Sequence, residues 1–328
     1  MDRGRPGERL GACVAPRHTT VRRRVGRRPG ATRLGAPHVT AATRGGGDMK
    51  RLRIGFLVSS RFAQSTGLVP AVMRALADAG VVVDVIHPTQ GALDLSDVRV
   101  EDDLYVLKKT SRLALSIAGA LHAQGAAIVN PFPVTVALRD KIITSRILQL
   151  AGVPTPATYV ASHPDRLAPL LAQGPLVIKP YHGSDGIGVR VVHSVAELAA
   201  VRAGRDPILA QRYYAPQGRD RKIYVVGERL FGVKKVFPIR TEQDGQGEPF
   251  TPRPELCEIA RRCGRAFGID LYSVDIVESE GKPYVVDMCS IPGCGGVPDA
   301  AHHLVSYLLG AAERAARGLG RQLAGAPA

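Results

Sequence analysis

Between residues 53 and 129, short β-branched runs alternate with helix-length stretches, and that alternation leaves few folds open. Strands are expected at 53–58, Val81–Ile86, Leu104–Leu107 and Ala126–Val129, with helices at Leu68–Ala79 and Leu113–Ala123. Short apolar strands separated by helical segments build a parallel sheet covered by crossover helices. Asn130-Pro131 is a turn that closes this lobe. Residues 141–172 read as mostly helical around an extended piece, Pro154–Ala161. After Pro175 the strands become antiparallel in style, at 176–179, 187–192, 208–213, 220–226 and 229–237. Thr241–Pro254 reads as a polar loop and Glu255–Phe267 as an amphipathic helix. Tyr272–Glu278 and Lys282–Met288 form a hairpin around Glu280-Gly281, and His302–Arg317 is a last helix. The fold class is therefore α/β (α+β), in two or three lobes and without an internal repeat.

Charge narrows the function. The net charge of +15 would suit nucleic acid or an anionic membrane, but it is unevenly spread. Residues 1–48 hold eleven Arg, no Lys and only three acids (Asp2, Glu8, Asp48), so more than half of the surplus lies there. That stretch has no hydrophobic periodicity, has a disordered composition and lacks the apolar centre of a secretory signal. Met49-Lys50-Arg51-Leu52-Arg53 runs straight into a strand and reads as the true start, with the leader a mis-annotated extension. A basic nucleic-acid arm and a transit peptide are the alternatives. The remaining chain carries a surplus ordinary for a protein that handles phosphates, so neither nucleic acid nor membrane is expected as a partner. Five Cys without a Cys-x-x-Cys pair fit a reducing cytoplasm. No apolar run reaches membrane-spanning length, since Leu113–Val129 is broken by His122 and Gln124.

Two constellations carry chemistry. In Val177-Ile178-Lys179-Pro180-Tyr181-His182-Gly183-Ser184-Asp185-Gly186-Ile187-Gly188, a strand ends in Lys and a Gly-rich loop follows. Glycine lets successive backbone N–H groups approach an anion, and the lysine adds a mobile charge for phosphate. Taken alone, the segment reads equally as a hairpin turn with a solvated lysine. It is neither a Walker loop nor a dinucleotide fingerprint, because no Gly-Lys-Ser/Thr follows and the next element is a strand. The second constellation places Asp275 and Asp287 inside strands otherwise made of apolar residues. Alternation puts Asp275 on a face with Ser273 and Val277, and Asp287 on a face with Val285 and Cys289. A carboxylate among apolar residues is costly unless a cation or metal compensates it. Two on adjacent strands suit magnesium, which takes few protein carboxylates and completes its octahedron with phosphate oxygens and water. Strand-end carboxylates bonded to loop amides are the bland alternative.

The ordered set Lys141, Lys179 with Gly183–Gly188, Gln211-Arg212-Tyr213-Tyr214, Gly218-x-Asp220-x-Lys222-x-x-Val225-Val226-Gly227, Asp275, and Asp287-x-Cys289-x-x-Pro292-Gly293 resembles the ATP-grasp superfamily. Within it the pattern is most similar to the RimK-like carboxylate–amine ligases; Lys222–Gly227 also resembles ATP-grasp inositol phosphate kinases. The resemblance covers about residues 53–312 and implies an ATP-grasp fold with a parallel-sheet pre-ATP-grasp lobe and two α+β lobes clamping ATP. Expected divisions are 1–48 (leader), 49–132 (N-terminal α/β lobe), 133–213 (central lobe with the Gly-rich loop), 214–318 (C-terminal lobe with the metal site) and 319–328 (tail).

The resemblance also implies roles. Lys141 and Lys179 would meet the nucleotide phosphates, with Gly183, Ser184, Gly186 and Gly188 folding over them. Gln211, Arg212, Tyr213 and Tyr214 would form the hinge strand whose backbone meets adenine. Lys222 and Arg240 would be catalytic, near the transferred phosphate or the acceptor, and Lys234 and Lys235 face either the acceptor or solvent. Asp275, Asp287 and Cys289 would be the metal positions, for magnesium or alternatively manganese. Three residues depart from the pattern: Asp287 replaces the usual Glu, Cys289 replaces Asn with a soft sulfur ill suited to magnesium, and Arg212 stands where the hinge commonly carries Glu. The implied reaction is ADP-forming ligation through an acyl phosphate, joining a small carboxylic acid or amino acid to an amine (or thiol), with peptide or protein acceptors and a homo-oligomer allowed. A small-molecule kinase and a degenerate ATP-binding regulator are the alternatives. Arg61 and Gln64, after the first strand, are candidates for binding the acid. A thiol nucleophile at Cys289 and a metal cluster of the cysteines are disfavoured, because neither an activating His nor a chelating spacing is present.

Overall fold

The computed structural model describes residues 51–58, 67–88, 92–108, 111–183, 186–202, 204–236 and 247–318. In chain order the elements are β1 (Arg53–Leu57), α1 (Leu68–Asp78), β2 (Val82–Ile86), β3 (Leu104–Leu107), α2 (Arg112–Ala123), β4 (Ile128–Val129), α3 (Phe132–Arg139), α4 (Lys141–Leu150) and β5 (Thr158–Ala161). Then come a 3-10 segment (Pro164–Gln173), β6 (Leu176–Pro180), β7 (Arg190–Val192), α5 (Val195–Ala199), β8 (Ile208–Arg212), β9 (Asp220–Val226) and β10 (Arg229–Lys235). The chain continues through β11 (Glu248–Phe250), α6 (Pro254–Phe267), β12 (Leu271–Ser279), β13 (Lys282–Ser290) and α7 (Ala300–Ala316).

These strands form three sheets. The first, ordered β2-β1-β3-β4, is parallel. The second, β5-β8-β6-β7, and the third, β11-β10-β9-β12-β13, are antiparallel. Local chemistry sets the helix ends. Ser111 caps α2 through the Ala114 N–H, and Asp140 caps α4 by accepting from the N–H groups of Ile142 (2.8 Å) and Ile143 (3.1 Å). Pro254 opens α6, and Gly268 ends it in the left-handed conformation at φ 63°.

The five-stranded sheet organises the core because its faces do different work. Ile223, Val225, Tyr272, Val274 and Ile276 face α6 and pack on Leu256, Ile259, Ala260, Cys263 and Phe267. On the other face, Tyr224, Val226, Val233 and Leu271 pack in one cluster with α7, the first sheet and α1, through Leu304, Leu308, Ile54, Phe56 and Leu76. Asn130, buried after β4, donates to Leu271 O (2.6 Å) and Ser290 Oγ (3.0 Å), joining the first sheet to the third. A separate cluster of Leu167, Leu176, Ile178, Val192, Leu198 and Ile208 fills the four-stranded antiparallel sheet. Among the described residues no helix is long and apolar enough to cross a membrane.

Four expectations change. The stretch read as a polar loop contains β11, which pairs Phe250 with Gly232; Pro249 fits there because the strand lies at a sheet edge. Helix α3 went unread because it begins directly after the Asn130-Pro131 turn, with Pro133 in its first turn. The strand expected from 187 starts at Arg190, since Gly186 (φ 72°) and Gly188 (φ 79°) make a turn. At Gly188 a Cβ would also lie 2.8 Å from Pro180 Cγ. Last, Val285 does not share a face with Asp287. Asp275 pairs with Asp287 but Ile276 pairs with Val285, so Val286 is an extra, bulged residue and the alternation slips.

Helix α6 sits so close on β12 that a Cβ at Gly264 would run into the buried Tyr272 ring, whose Oη donates to Ala260 O at 2.8 Å. Gly264→Ala gains about 1 kcal/mol of helix propensity but overpacks at a cost of about 1–3 kcal/mol. Urea denaturation is expected to show a lower midpoint at unchanged slope; an equal or higher midpoint would contradict this packing.

Candidate active site

The register of the third sheet builds a row of charge. Lys222 on β9 lies opposite Asp275 on β12, which lies opposite Asp287 on β13. Directly paired residues point to one face, so all three emerge beside each other on the face whose other half is apolar. Lys222 Nζ donates to both Asp275 oxygens, at 2.7 and 2.9 Å. Lys141, the first residue of α4, crosses to the same row and donates to both Asp287 oxygens at 2.8 Å. Lys179 on β6 comes from the same side and donates to Val286 O at 3.0 Å. The bulge sits at this junction: Val286 carries the carbonyl that Lys179 holds, and Asp287 follows it opposite Asp275.

Electrostatics follow from this crowding. Burial pushes the Lys179 ammonium down to about 8, with Asp287 pulling it back up and Lys141 pressing it further down. At Lys222 burial favours the neutral amine, but the charge and hydrogen bonds of Asp275 outweigh it and hold the ammonium above its ordinary range. Asp220 lies two residues before Lys222 on the same face; burial, then the nearby Asp275, raises its carboxyl to about 6. Lys235, opposite Asp220, completes this face, whereas Lys234 points the other way and pairs with Glu248 at 3.3 Å.

The hinge residues divide. Gln211 is buried; its Nε2 donates to Thr158 Oγ1 at 3.2 Å, while its Oε1 has no partner. It lines a narrow cleft with Lys141, Thr144, Ser145, Leu209 and Asp287. Arg212 turns its guanidinium away, onto Gly174 O (2.5 Å) and Leu170 O (3.2 Å), and so secures the end of the 3-10 segment. The N–H groups of Arg212 and Tyr213 are already bonded to Ala157 O and Pro175 O. Tyr214 stacks on Tyr284 of β13, with ring centroids 4.1 Å apart and planes 6° from parallel. Gly183 precedes the Gly186–Gly188 turn. Ser184, Arg240, Arg61 and Gln64 lie outside the described residues.

A model of the RimK-like ATP-grasp domain matches residues 138–307, just over half of the chain and spanning every element of this site. The chain belongs to the RimK-like ATP-grasp family. A probable alpha-L-glutamate ligase of Marinomonas sp. (strain MWYL1) is 28% identical over 267 residues, covering 72% of this chain and 89% of that protein. Among solved structures, the RimK domain ATP-grasp protein of Sphaerobacter thermophilus DSM 20745 aligns with TM-score 0.61 at 20% identity, over 78% of this chain and 99% of that one. The ATP-grasp ligase PsnB, solved with minimal precursor, Mg and ADP, aligns with TM-score 0.60 at 16% identity, over 80% and 98%. This RimK-like chain therefore has the ATP-grasp fold of a family of C–N bond-forming ligases that use ATP and magnesium.

The donor chemistry of the site suits those two cofactors. The unpartnered Gln211 Oε1 in the cleft can accept from an amino group of a base, and Asp275 and Asp287 offer the hard oxygens magnesium prefers. Cys289 offers only sulfur, and its thiol turns to Ser290 O at 3.4 Å. Among the described residues no three His, Cys, Asp or Glu side chains converge on a common metal position. Sequence reasoning left Asp220 without a role and missed Tyr284; Asp220 was findable, because its two-residue spacing from Lys222 on a strand puts both on one face.

With Lys179 near 8, the free protein is partly neutral there at pH 8.5. Phosphate charge raises an adjacent ammonium pKa, so nucleotide binding at about pH 8.5 should take up a substantial fraction of a proton, and almost none at about pH 6.5. Calorimetry in buffers of different ionisation enthalpy measures this; Lys179→Met should abolish the uptake.

Proposed function

We propose that this chain condenses a carboxylate with an amine at the expense of ATP, releasing ADP and phosphate by way of an acyl phosphate. The observation that carries the proposal is the row Lys222–Asp275–Asp287, met from the opposite side by Lys141 and Lys179. In it each carboxylate already holds a lysine, so cations and anions are arranged to change partners. Lys141 and Lys179 would leave Asp287 and Val286 O for the phosphates of the nucleotide. Asp287, released by Lys141, and Asp275, released as Lys222 turns to the transferred phosphate, would hold magnesium, or manganese with the same oxygen preference, which neutralises phosphate charge when bound.

Lys222, charged throughout the working pH range, would steady the phosphate being transferred. The substrate carboxylate oxygen attacks the γ-phosphorus and ADP leaves; the amine nitrogen then attacks the acyl carbon, phosphate leaves, and the amine gives up a proton. The cleft beside Gln211 and the loop around Gly183, Gly186 and Gly188 would keep water from the acyl phosphate. The name of the Marinomonas relative supports an amino acid as one substrate, and that of PsnB solved with its precursor peptide supports a peptide as a candidate acceptor.

Product analysis tests this directly. ADP and free phosphate should appear together, and only when both an acid and an amine are present. A phosphorylated acceptor without free phosphate would indicate a kinase, and binding without turnover on any acceptor a regulator. Asp287→Ala and Lys222→Met should each lower kcat on the order of a hundredfold or more, while Lys179→Ala weakens ATP binding. Full activity in all three variants would remove the site assignment.

A further inference from the structure

Toward the amino ends of β1 and β3, two acids meet around a single guanidinium. Arg53 Nη2 donates to Asp84 Oδ2 on β2 at 2.5 Å, and Arg53 Nε lies 3.5 Å from Oδ1 of Asp102, two residues before β3. Register explains why they meet. Gly55 pairs with Asp84 on one side and with Tyr105 on the other, so these three share a face of the sheet, and Arg53 joins them two residues back. The Asp102 carboxyl occupies the space that a side chain at position 55 would fill: a Cβ on Gly55 would run into Asp102 Oδ2 and lie 2.9 Å from Tyr105 Cδ1. Tyr105 fixes this approach, its Oη accepting from the N–H groups of Glu101 (2.9 Å) and Asp102 (3.2 Å). The Asp102 side chain is only 5% exposed, and its Oδ1 has no hydrogen-bond partner.

Neighbouring carboxylates, one of them buried, are costly to keep charged together beside one cation. A proton between them makes one acid a donor to the other and leaves a single negative charge for Arg53. We propose that Asp84 and Asp102 share one proton over Gly55 and that its loss loosens the residues leading into β3, a pH-sensitive latch on the first sheet. Burial, then the hydrogen bond and charge of Asp84, push the Asp102 carboxyl up to about 7; Arg53 draws it down and Glu101 adds to the rise. The other groups around the pair are accounted for. Asp103 Oδ2 accepts from the Arg53 N–H at 2.9 Å, and Asp97 and Arg99 are exposed. Helix α2 covers this face with Ala114, Ile117, Ala118 and Leu121, while its His122 packs on Phe132. With both acids ionised, Asp102 keeps a buried charge that is relieved by leaving the space over Gly55. The sign follows: an unfolded aspartate releases its proton near about pH 4, so up to about 7 the folded chain holds a proton that the unfolded chain lacks. The stability this contributes is complete at low pH and lost as pH rises through the folded value. The latch lies apart from the charge row and does not depend on the reaction there.

Urea denaturation of the full-length protein beside Asp102→Asn, from about pH 5 to about pH 8.5, tests the shared proton. Asn keeps the shape and donates to Asp84 with no proton to lose, so the variant's midpoint should climb relative to the parent's as pH rises. A difference that stays constant with pH would overturn the shared proton. Should Asp102→Asn fail to fold, Asp84→Asn serves instead: with that acid neutral, the pH at which stability drops should move down, and an unmoved profile would be equally contrary. Hydrogen exchange tests the loosening. After correction for intrinsic rates, parent peptides covering residues 99–105 should lose about tenfold or more of their protection between about pH 6 and about pH 8.5. Peptides of α2 should hold theirs, and Asp102→Asn should show no such loss at 99–105. Unchanged protection of that segment in the parent, or a loss spread evenly over the first sheet and its helices, would overturn the latch.

Discussion

Carboxylates cannot be set among apolar strands without a counter-charge, and the architecture around the third sheet follows from that constraint. Asp275 and Asp287 sit opposite each other on β12 and β13, where like charges side by side would repel. Lys222 compensates one from the neighbouring strand and Lys141 the other from α4. Because Lys141 and Lys179 come from elements outside the sheet, the compensation also fixes where α4 and β6 lie relative to it. A ligand combining a divalent cation with a polyphosphate can replace every one of these contacts with its own, cation for lysine and phosphate for carboxylate. The same row is thus both a structural joint and a place for exchange.

The division of one sheet face into an apolar half and a charged half keeps that row in place. Tyr224, Val226, Val233 and Leu271 anchor the sheet against α7 and the first sheet. A few residues further along the same strands, Lys222 and Asp275 emerge at the cleft. The bulge at Val286 lies directly before Asp287, and the Val286 carbonyl is the one that Lys179 holds. Bulges beside active sites re-aim side chains in this way.

Much of this was legible in residue order. A lysine ending a strand before a Gly-rich loop, and acids inside β-branched strands, are local signals, and Lys179, Asp275 and Asp287 were each marked by them. Which lysine compensates which acid was not, because that depends on pairing between strands far apart in sequence. Lys234 and Lys235 show the limit: they are adjacent and chemically alike, yet only register against β9 tells that Lys235 shares the face of Lys222 while Lys234 turns to Glu248. Arg212 could be placed on the hinge strand, but its grip on the 3-10 segment needed tertiary structure.

The measurement that bears most directly on the partner exchange is calorimetric titration of ATP into the purified protein with magnesium and with the metal chelated, repeated on the Lys141→Ala, Asp287→Ala double variant. Partner exchange predicts tight binding only with magnesium, and weaker binding in the double variant even though its lost pair leaves no uncompensated charge. Equal affinity with and without metal, or undiminished affinity once that pair is gone, would contradict it.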